Sequence, residues 1–271
     1  MTFAATQRSR REDRRISPVF WAMLATLATS GWAVYAGYGN ARFGIFLFVV
    51  AGWMVSLCLH EYAHARTALH GGDITVGAKG YLTLNPLKYA NALLSFVLPI
   101  VFVLLGGIGL PGGAVWIERH RINGRLKHSL ISAAGPLVNL AAAVLILVPV
   151  GAGWLDGTEV HAAWNGYEPS VSPLALALGF LGMLQLSATL LNLLPVPGLD
   201  GYGIIEPWLS HKARRAVEPF APYGMLAIFA LLWQPEVNHY FFEAVYGVMD
   251  LLGVDRLYAQ VGHDLFTFWK N

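Results

Sequence analysis

A long apolar run that ends abruptly in ionisable residues constrains this chain more than any other feature. Residues 43–59, FGIFLFVVAGWMVSLCL, contain no charged side chain, and residues 60–64 are HEYAH. Several other segments approach or exceed the roughly 20 apolar residues that a helix needs to cross a bilayer. Of all residues, 56% are hydrophobic and 13% are charged, whereas soluble domains average roughly 25% charged residues. The composition predicts a polytopic membrane protein and excludes a typical soluble enzyme.

The spacing within HEYAH is typical of a metal site. Two histidines four residues apart lie one turn above each other on one helix face, so His60 and His64 can bind the same Zn²⁺. Glu61 is offset by about a quarter turn and can act on a metal-bound water instead. Ionisable groups are costly inside a membrane, which makes such a site a functional hypothesis. The alternative is a solvated helix end in which the motif arises by chance.

The apolar pattern predicts an all-α fold with about six transmembrane helices. The predicted spans are 19–37, 43–66, 129–150, 173–194 and 221–234. Residues 239–254 contain Glu243 and Asp250, so this stretch either spans or lies at the interface. Residues 93–110 are long enough to cross, but Pro99 and the Gly106-Gly107 pair interrupt them.

Charged residues between these segments predict the orientation. The connections 117–128 and 210–217 are basic, residues 151–172 carry acidic residues without Lys or Arg, and the arm 1–18 is rich in arginine. The positive-inside rule places the arm and both basic connections in the cytoplasm. A full crossing by residues 93–110 would put the first connection outside, so we expect this segment to re-enter and return. We expect a multi-pass protein of a prokaryotic cell membrane with a cytoplasmic N-terminus.

Residues 73–84, DITVGAKGYLTL, differ from the helical segments around them. Their β-branched and aromatic residues favour strand, and residues 77–80 are typical of a turn between two short strands. We therefore expect a short β-hairpin near the active site, with an ordinary loop as the alternative.

A catalytic zinc usually has three protein ligands, so two histidines do not complete the site. Asp200 follows the apolar run 174–194, in a segment where Pro195, Pro197 and Gly198 break the helix. Under the predicted topology, Asp200 and HEYAH lie at the cytoplasmic ends of helices that run in the same direction. Asp200 is therefore the candidate third ligand, and the alternative is a turn residue before Gly201.

Three motifs in order resemble the site-2 protease family of intramembrane zinc metalloproteases. They are HEYAH at 60–64, AGPLVN at 134–139 and NLLPVPGLDG at 192–201, and the resemblance covers about residues 45–205. It implies one Zn²⁺ per chain held by His60, His64 and Asp200, with Glu61 as the catalytic glutamate. It also implies membrane-anchored protein substrates, such as transcriptional regulators. No insert is large enough for a PDZ domain and no CBS-like extension is present, so the chain resembles a minimal member.

Two asparagines in the motifs are weaker candidates. Asn139 could orient a substrate carbonyl or stabilise the oxyanion, or bond a neighbouring helix instead. Asn192 could support a ligand or the substrate backbone, or cap its helix.

The domain prediction is one membrane domain. Its boundaries are a basic arm at 1–18, a transmembrane protease domain at 19–255 and a short tail at 256–271. The partners expected are the lipid bilayer and membrane-anchored proteins. A net charge of +2 gives no indication of nucleic acid. Two other functions stay open, a membrane metal-ion transporter and a catalytically inactive protein that binds membrane helices.

Overall fold

The structure is a computed structural model that describes residues 15–89, 115–155 and 171–270. All regular structure in these ranges is helical. The α-helices are α1 Pro18–Tyr35, α2 Ala41–Gly71, α3 Thr75–Ala78, α4 Arg125–Gly151, α5 Pro173–Leu193, α6 Asp200–Ile205, α7 His211–Val217, α8 Gly224–Leu232, α9 Pro235–Leu251 and α10 Arg256–Phe266. Short 3₁₀ turns cover Tyr81–Thr83, Pro86–Lys88, Arg119–Arg121, Glu206–Trp208, Glu218–Tyr223 and Phe268–Lys270.

Local sequence fixes where the long helices begin. The Ser17 hydroxyl accepts a hydrogen bond from the Val19 N–H at the start of α1, and Ser172 does the same for α5. In both helices the next residue is a proline, whose missing N–H costs nothing in the first turn. Asn40 caps α2 by accepting from the Phe43 N–H. These caps set the first residue of each helix, because a uniformly apolar interior gives no signal for where the helix begins.

Three helices in the described part of the chain are long and apolar enough to cross a membrane. They are α2, α4 and α5, with 31, 27 and 21 residues. A bent pair, His211–Ala221 with Gly224–Leu232, adds a fourth if it counts as one broken span, with a bend of 67°. The expected count of about six spans is therefore not supported. Helix α8 covers only nine residues, and α9 carries Glu236, Glu243 and Asp250 along its length.

The three apolar helices pack as one group. Helix α4 lies against both α2 and α5, α1 packs on α2, and α10 packs on α5. The approach of α2 to α5 is close, because a Cβ on Gly52 would lie 2.7 Å from Leu181 Cδ2. Large side chains fill the core that these helices share, and Phe180, Leu184 and Leu147 are fully buried in it. This packing fixes the relative position of the helices that carry the sequence motifs.

One face of α4 is apolar and uncovered. Exposed large side chains follow it from end to end: Leu126, Leu130, Leu137, Leu140, Leu145 and Val148. A soluble chain rarely exposes such a continuous apolar face. With the apolar lengths of the three helices, this face identifies an all-α membrane protein.

The β-hairpin expected at residues 73–84 is wrong, because the structure has helical turns there. Buried Asp73 accepts hydrogen bonds from the Thr75 N–H at 2.9 Å and the Thr75 hydroxyl at 2.7 Å, and these local bonds turn the backbone just before the one-turn helix α3. Gly80 and Leu84 then have φ values of +77° and +55°, which a strand does not allow. Local hydrogen bonding by a side chain therefore outweighed β propensity.

The structure describes the chain up to residue 270 at its C-terminal end but does not describe its first 14 residues. Residues 1–14 of the basic arm lie outside the described residues, as does the predicted re-entrant segment 93–110. The residues expected as a tail instead form α10 and a 3₁₀ turn. Phe266 of α10 is fully buried in the main core, so this end of the chain completes the helical group around α5.

Candidate metal centre and active site

The histidines of HEYAH meet at their Nε2 atoms. Helix α2 places His60 and His64 one turn apart, and their Nε2 atoms lie 3.1 Å from each other. Both residues are 6% exposed. His60 lies eleven residues before the end of α2 at Gly71, which is about 17 Å along the helix axis. The pair is therefore inside an apolar helix and not at its solvated end.

Helix α4 orients both imidazoles through their other nitrogen. His60 Nδ1 lies 2.8 Å from the side-chain oxygen of Asn139, and His64 Nδ1 lies 2.6 Å from the backbone carbonyl oxygen of Ile131. Since both partners are acceptors, each Nδ1–H donates and each Nε2 keeps its lone pair. This arrangement is the one that metal-binding histidines usually adopt.

Gly135 lets α4 pass directly over the histidine pair. A Cβ at this position would overlap His64 Nε2 and would lie 2.5 Å from His60 Nε2. Pro136 follows within the same helix and lacks the N–H that would bond the preceding turn. The AGPLVN motif thus supplies a close crossing at Gly135 and, one turn later, the Asn139 contact to His60.

A short loop and α6 bring Asp200 to the same point. Asp200 is the first residue of α6, and its carboxylate oxygens lie 3.3 Å from His60 Nε2 and 3.4 Å from His64 Nε2. Gly198 has a φ of +93°, and a Cβ on Gly201 would overlap the carbonyl oxygen of Leu193. The loop therefore folds tightly back on the end of α5 and aims Asp200 at the histidines.

Contacts with α4 hold α6 in place. The Ser129 hydroxyl donates to the Ile204 carbonyl at 2.6 Å and accepts from the Trp208 indole N–H at 2.9 Å. A Cβ on Gly203 would overlap the Ser132 hydroxyl, so the Ser132 side chain packs directly against the Gly203 backbone. Helix α4 thus contacts both the histidine-bearing helix and the aspartate-bearing helix.

The three side chains fit a zinc ion by chemistry and by spacing. Their candidate ligand atoms lie within 4.8 Å of one another and form the group of two histidines and one carboxylate that could hold a metal. Zinc–nitrogen and zinc–oxygen bonds near 2.0–2.1 Å in a tetrahedral site place neighbouring ligand atoms about 3.3–3.4 Å apart. The two Nε2 atoms lie 3.1 Å apart, and each lies 3.3 or 3.4 Å from a different oxygen of the Asp200 carboxylate, so all three distances are close to that edge length.

The charge of Asp200 suits a cation. Burial raises the pKa of its carboxyl group, but the adjacent His64 and His60 outweigh that effect and leave the pKa below its usual value. In its ionised form this carboxylate supplies negative charge to a bound cation.

Glu61 is buried beside the site but is not part of the three-residue metal group. It is 2% exposed, and its Oε2 accepts a hydrogen bond from the Val115 N–H at 3.1 Å. This bond fixes the carboxylate and leaves its other oxygen for a second partner. The Val115 contact could not be read from the sequence, because any residue except proline offers the same N–H.

Residues 115–121, which we call the connecting segment, are held against neighbouring elements by several contacts besides the bond from Val115 to Glu61. The Glu118 N–H donates to buried Asp73 at 2.7 Å, and Arg119 forms an ion pair with Glu206. Hydrogen bonds from Arg121, and then from Lys79, hold the pKa of Glu118 below its usual range. These contacts anchor the backbone that orients Glu61.

The two asparagines have different surroundings. Asn139 is 4% exposed and contacts His60. Asn192 is 3% exposed in the last turn of α5, where Leu194 is the C-cap residue. The described residues include no hydrogen bond from Asn192 to His60, His64 or Asp200. The structure thus brings Asn139 to the metal group through a hydrogen bond to His60, whereas the described residues show no such bond for Asn192.

Comparison with known proteins identifies the family. A protein of Mycolicibacterium smegmatis named "Putative zinc metalloprotease Rip2" is 43% identical over 265 residues, which are 96% of each chain. The protein of the same name from Mycobacterium tuberculosis is 40% identical over 98% of each chain. This chain belongs to their family of zinc metalloproteases.

A third relative extends the family beyond mycobacteria. Bacillus subtilis YwhC, also named a putative zinc metalloprotease, is 31% identical over 188 residues, covering 69% of this chain and 81% of its own. No family model and no solved structure matches. These relatives are consistent with the resemblance to site-2 proteases, and Zn²⁺ is the cofactor that both the family and the ligand group indicate.

Proposed function

We propose that this chain is an intramembrane protease that hydrolyses peptide bonds within or beside the transmembrane segments of membrane-anchored proteins. One observation carries the proposal. His60, Glu61 and His64 lie within α2, a helix long and apolar enough to span a membrane, and Asp200 joins the two histidines from the start of α6. A protease that acts on soluble substrates has no need to bury its metal group there.

Each side chain has a separate task in this proposal. His60, His64 and Asp200 hold zinc through two Nε2 atoms and a carboxylate oxygen. A bound zinc ion supplies a Lewis acid that acidifies water and polarises a carbonyl group. Glu61, held at Oε2 by Val115, uses its other oxygen to take the proton of the attacking water and passes that proton to the leaving amine.

The substrate must lose local helical structure before it reacts. A transmembrane helix engages its carbonyl groups in hydrogen bonds between residues four apart, so the scissile bond becomes accessible only after local unwinding. Asn139 is engaged with His60, and we therefore assign it to orienting that ligand and not to binding the oxyanion.

The decisive experiment compares two variants of the purified chain in liposomes with a fluorescent membrane-anchored substrate. Glu61→Gln keeps the volume of the side chain but cannot accept a proton, so hydrolysis should fall by at least about 10²-fold. Its zinc content should stay near one per chain. Asp200→Ala should lose both zinc and activity, because one of three ligands is gone. Near-parental cleavage by Glu61→Gln would contradict the mechanism, and full zinc content in Asp200→Ala would contradict the ligand assignment.

We also propose that the metal centre lies nearer the cytoplasmic side. The two basic connections, 117–128 and 210–217, meet at one end of the helix bundle, because Arg119, Arg125 and Arg214 line one cavity there. The start of α1 is there too, because the Ser17 N–H donates to the Thr83 carbonyl. The described parts of the chain before and after residues 93–110 also lie at this end. Lys79, which precedes that segment, donates a hydrogen bond to the carbonyl of Trp116, which follows it. The positive-inside rule assigns such an end to the cytoplasm.

Cysteine labelling tests this orientation. In a Cys58→Ser background, a cysteine replacing exposed Asn123 should be protected from an impermeant thiol reagent added outside intact cells. A cysteine replacing Tyr38, which is 73% exposed in the turn between α1 and α2, should be labelled. The reverse pattern would invert the proposed topology.

A further inference from the structure

A cavity of about 450 Å³ lies at the basic end of the bundle, apart from the metal group. It opens between the N-terminus of α4 and the turn that follows α6. Its charged and titratable lining residues are Arg119, His120, Arg125, His128, Glu206 and Arg214. None of them is a candidate zinc ligand, and the proposed cleavage reaction uses none of them.

The charge of the lining is strongly positive. Three guanidinium groups face one carboxylate, which gives a net charge of +2 with the histidines neutral. The carboxylate of Glu206 is engaged with Arg119. Arg125 and Arg214 have no ion pair with the residues that the structure describes, so their charges remain available to a ligand.

Arg214 carries a donor that needs an acceptor. Its Nη2 donates to the Pro207 carbonyl at 3.0 Å, which fixes the guanidinium at the cavity wall. Its Nε–H is buried and has no hydrogen-bond partner in the described part of the chain. Arg214 therefore contributes a fixed positive charge to the wall of the cavity.

The N-terminus of α4 adds backbone donors to the same cavity. This helix is 27 residues long, its N-cap is Gly124, and no side chain caps it. Gly124 and Arg125 both line the cavity. The free N–H groups of a first helical turn and the helix dipole favour anions, phosphate groups above all.

We propose that this cavity binds a phosphate group, carried either by an anionic lipid headgroup or by a free phosphate compound. A phosphate presents several oxygens in a tetrahedral arrangement, which suits donors that converge from two arginines and a helix N-terminus. Basic pockets between membrane helices bind lipid headgroups in this way. The volume exceeds that of a phosphate alone and leaves room for the group to which it is attached.

The test measures binding by the purified full-length chain in neutral detergent. One arm counts bound phosphatidylglycerol by native mass spectrometry, and the other titrates inorganic pyrophosphate by calorimetry. Arg214→Gln and Arg125→Gln should each weaken binding by about tenfold or more. Arg125 is exposed, so its variant remains informative if Arg214→Gln does not fold.

The matched control is Lys212→Gln, which removes one exposed positive charge from the same helix as Arg214 but does not line the cavity. It should bind like the parent chain. Binding of the lipid alone identifies a headgroup site, and binding of pyrophosphate identifies a site for free phosphates; both support the proposal. Absence of binding in both arms would overturn it. Equal losses in Lys212→Gln and Arg214→Gln would also overturn it, because they indicate diffuse surface attraction.

Discussion

The two halves of the metal centre are built in different ways. His60 and His64 lie on one continuous helix of 31 residues, whereas Asp200 begins a helix of six residues after a loop. The histidine side chains are 7% exposed and that of Asp200 is 23% exposed. Helix geometry brings the two histidines to one face of α2, whereas Asp200 reaches them only through packing between α4, α5 and α6. The pairing of His60 with His64 follows from the local sequence of one helix, whereas the position of Asp200 depends on the tertiary fold. We call these two parts the histidine half and the aspartate half.

Helix α4 is the element that joins these two halves. It orients the histidines through Asn139 and Ile131, and it holds α6 through Ser129. Substitutions at different positions along α4 should therefore disturb either the histidine half or the aspartate half, and their effects on zinc affinity should differ in size.

The largest effect is expected from Gly135→Ala. The added Cβ would overlap His64 Nε2 and crowd His60 Nε2, so either the imidazoles turn away or α4 moves off α2. Zinc affinity should fall by at least about 10²-fold, the upper range for a disturbed supporting contact. Chelator competition on purified protein measures this affinity.

The control for that substitution is Gly247→Ala. A Cβ on Gly247 has no neighbouring atom within 4 Å, so the same chemical change should leave zinc affinity unchanged. Equal zinc affinity in the two variants would show that close approach at Gly135 does not constrain the histidine half.

The sequence anticipated the histidine half because its information is short-range. Spacing of four residues on a helix is sufficient to pair His60 with His64, and the structure places their Nε2 atoms together. Asp200 was found by a different signal, namely a carboxylate after an apolar run in a segment rich in proline and glycine. Gly135 belonged to a recognised motif, but its contact with the histidines depends on how α4 crosses α2.

A smaller effect is expected from Asn139→Leu, which keeps a similar volume but removes the acceptor for His60 Nδ1–H. Loss of such an orienting contact typically costs 10–100-fold in metal affinity, and we expect about tenfold here. Asn139→Asp retains an oxygen acceptor and should keep an affinity near that of the parent chain. Equal zinc affinity in the Asn139→Leu and Asn139→Asp variants would show that the hydrogen bond to His60 does not contribute to zinc binding.

The failures of sequence reasoning also have physical causes. The β-hairpin expected at 73–84 rested on side-chain propensity, but the buried carboxylate of Asp73 accepts two hydrogen bonds from Thr75 and holds the backbone in a turn there. It also ties that turn to the Glu118 N–H 45 residues later. The count of about six spans treated each apolar stretch as one straight helix. The stretch at 221–234 instead contains α8, which is bent by 67° from the preceding helical segment.

The smallest effect is expected from Ser129→Ala, which tests the aspartate half. The substitution removes the hydrogen bonds to the Ile204 carbonyl and from the Trp208 indole, and it should lower the free energy of unfolding by about 1–2 kcal/mol. Zinc affinity should fall by less than about tenfold, because Asp200 remains present and loses only part of its support. Ser30→Ala is the matched control: Ser30 is also buried, and its hydroxyl bonds only to carbonyls of its own helix, at Thr26 and Leu27. Thermal unfolding and chelator competition on both variants separate general stability from zinc binding. A fall in zinc affinity in Ser129→Ala alone supports the dependence of Asp200 on tertiary packing, whereas an unchanged affinity would show that the loop after α5 positions Asp200 without help from α4.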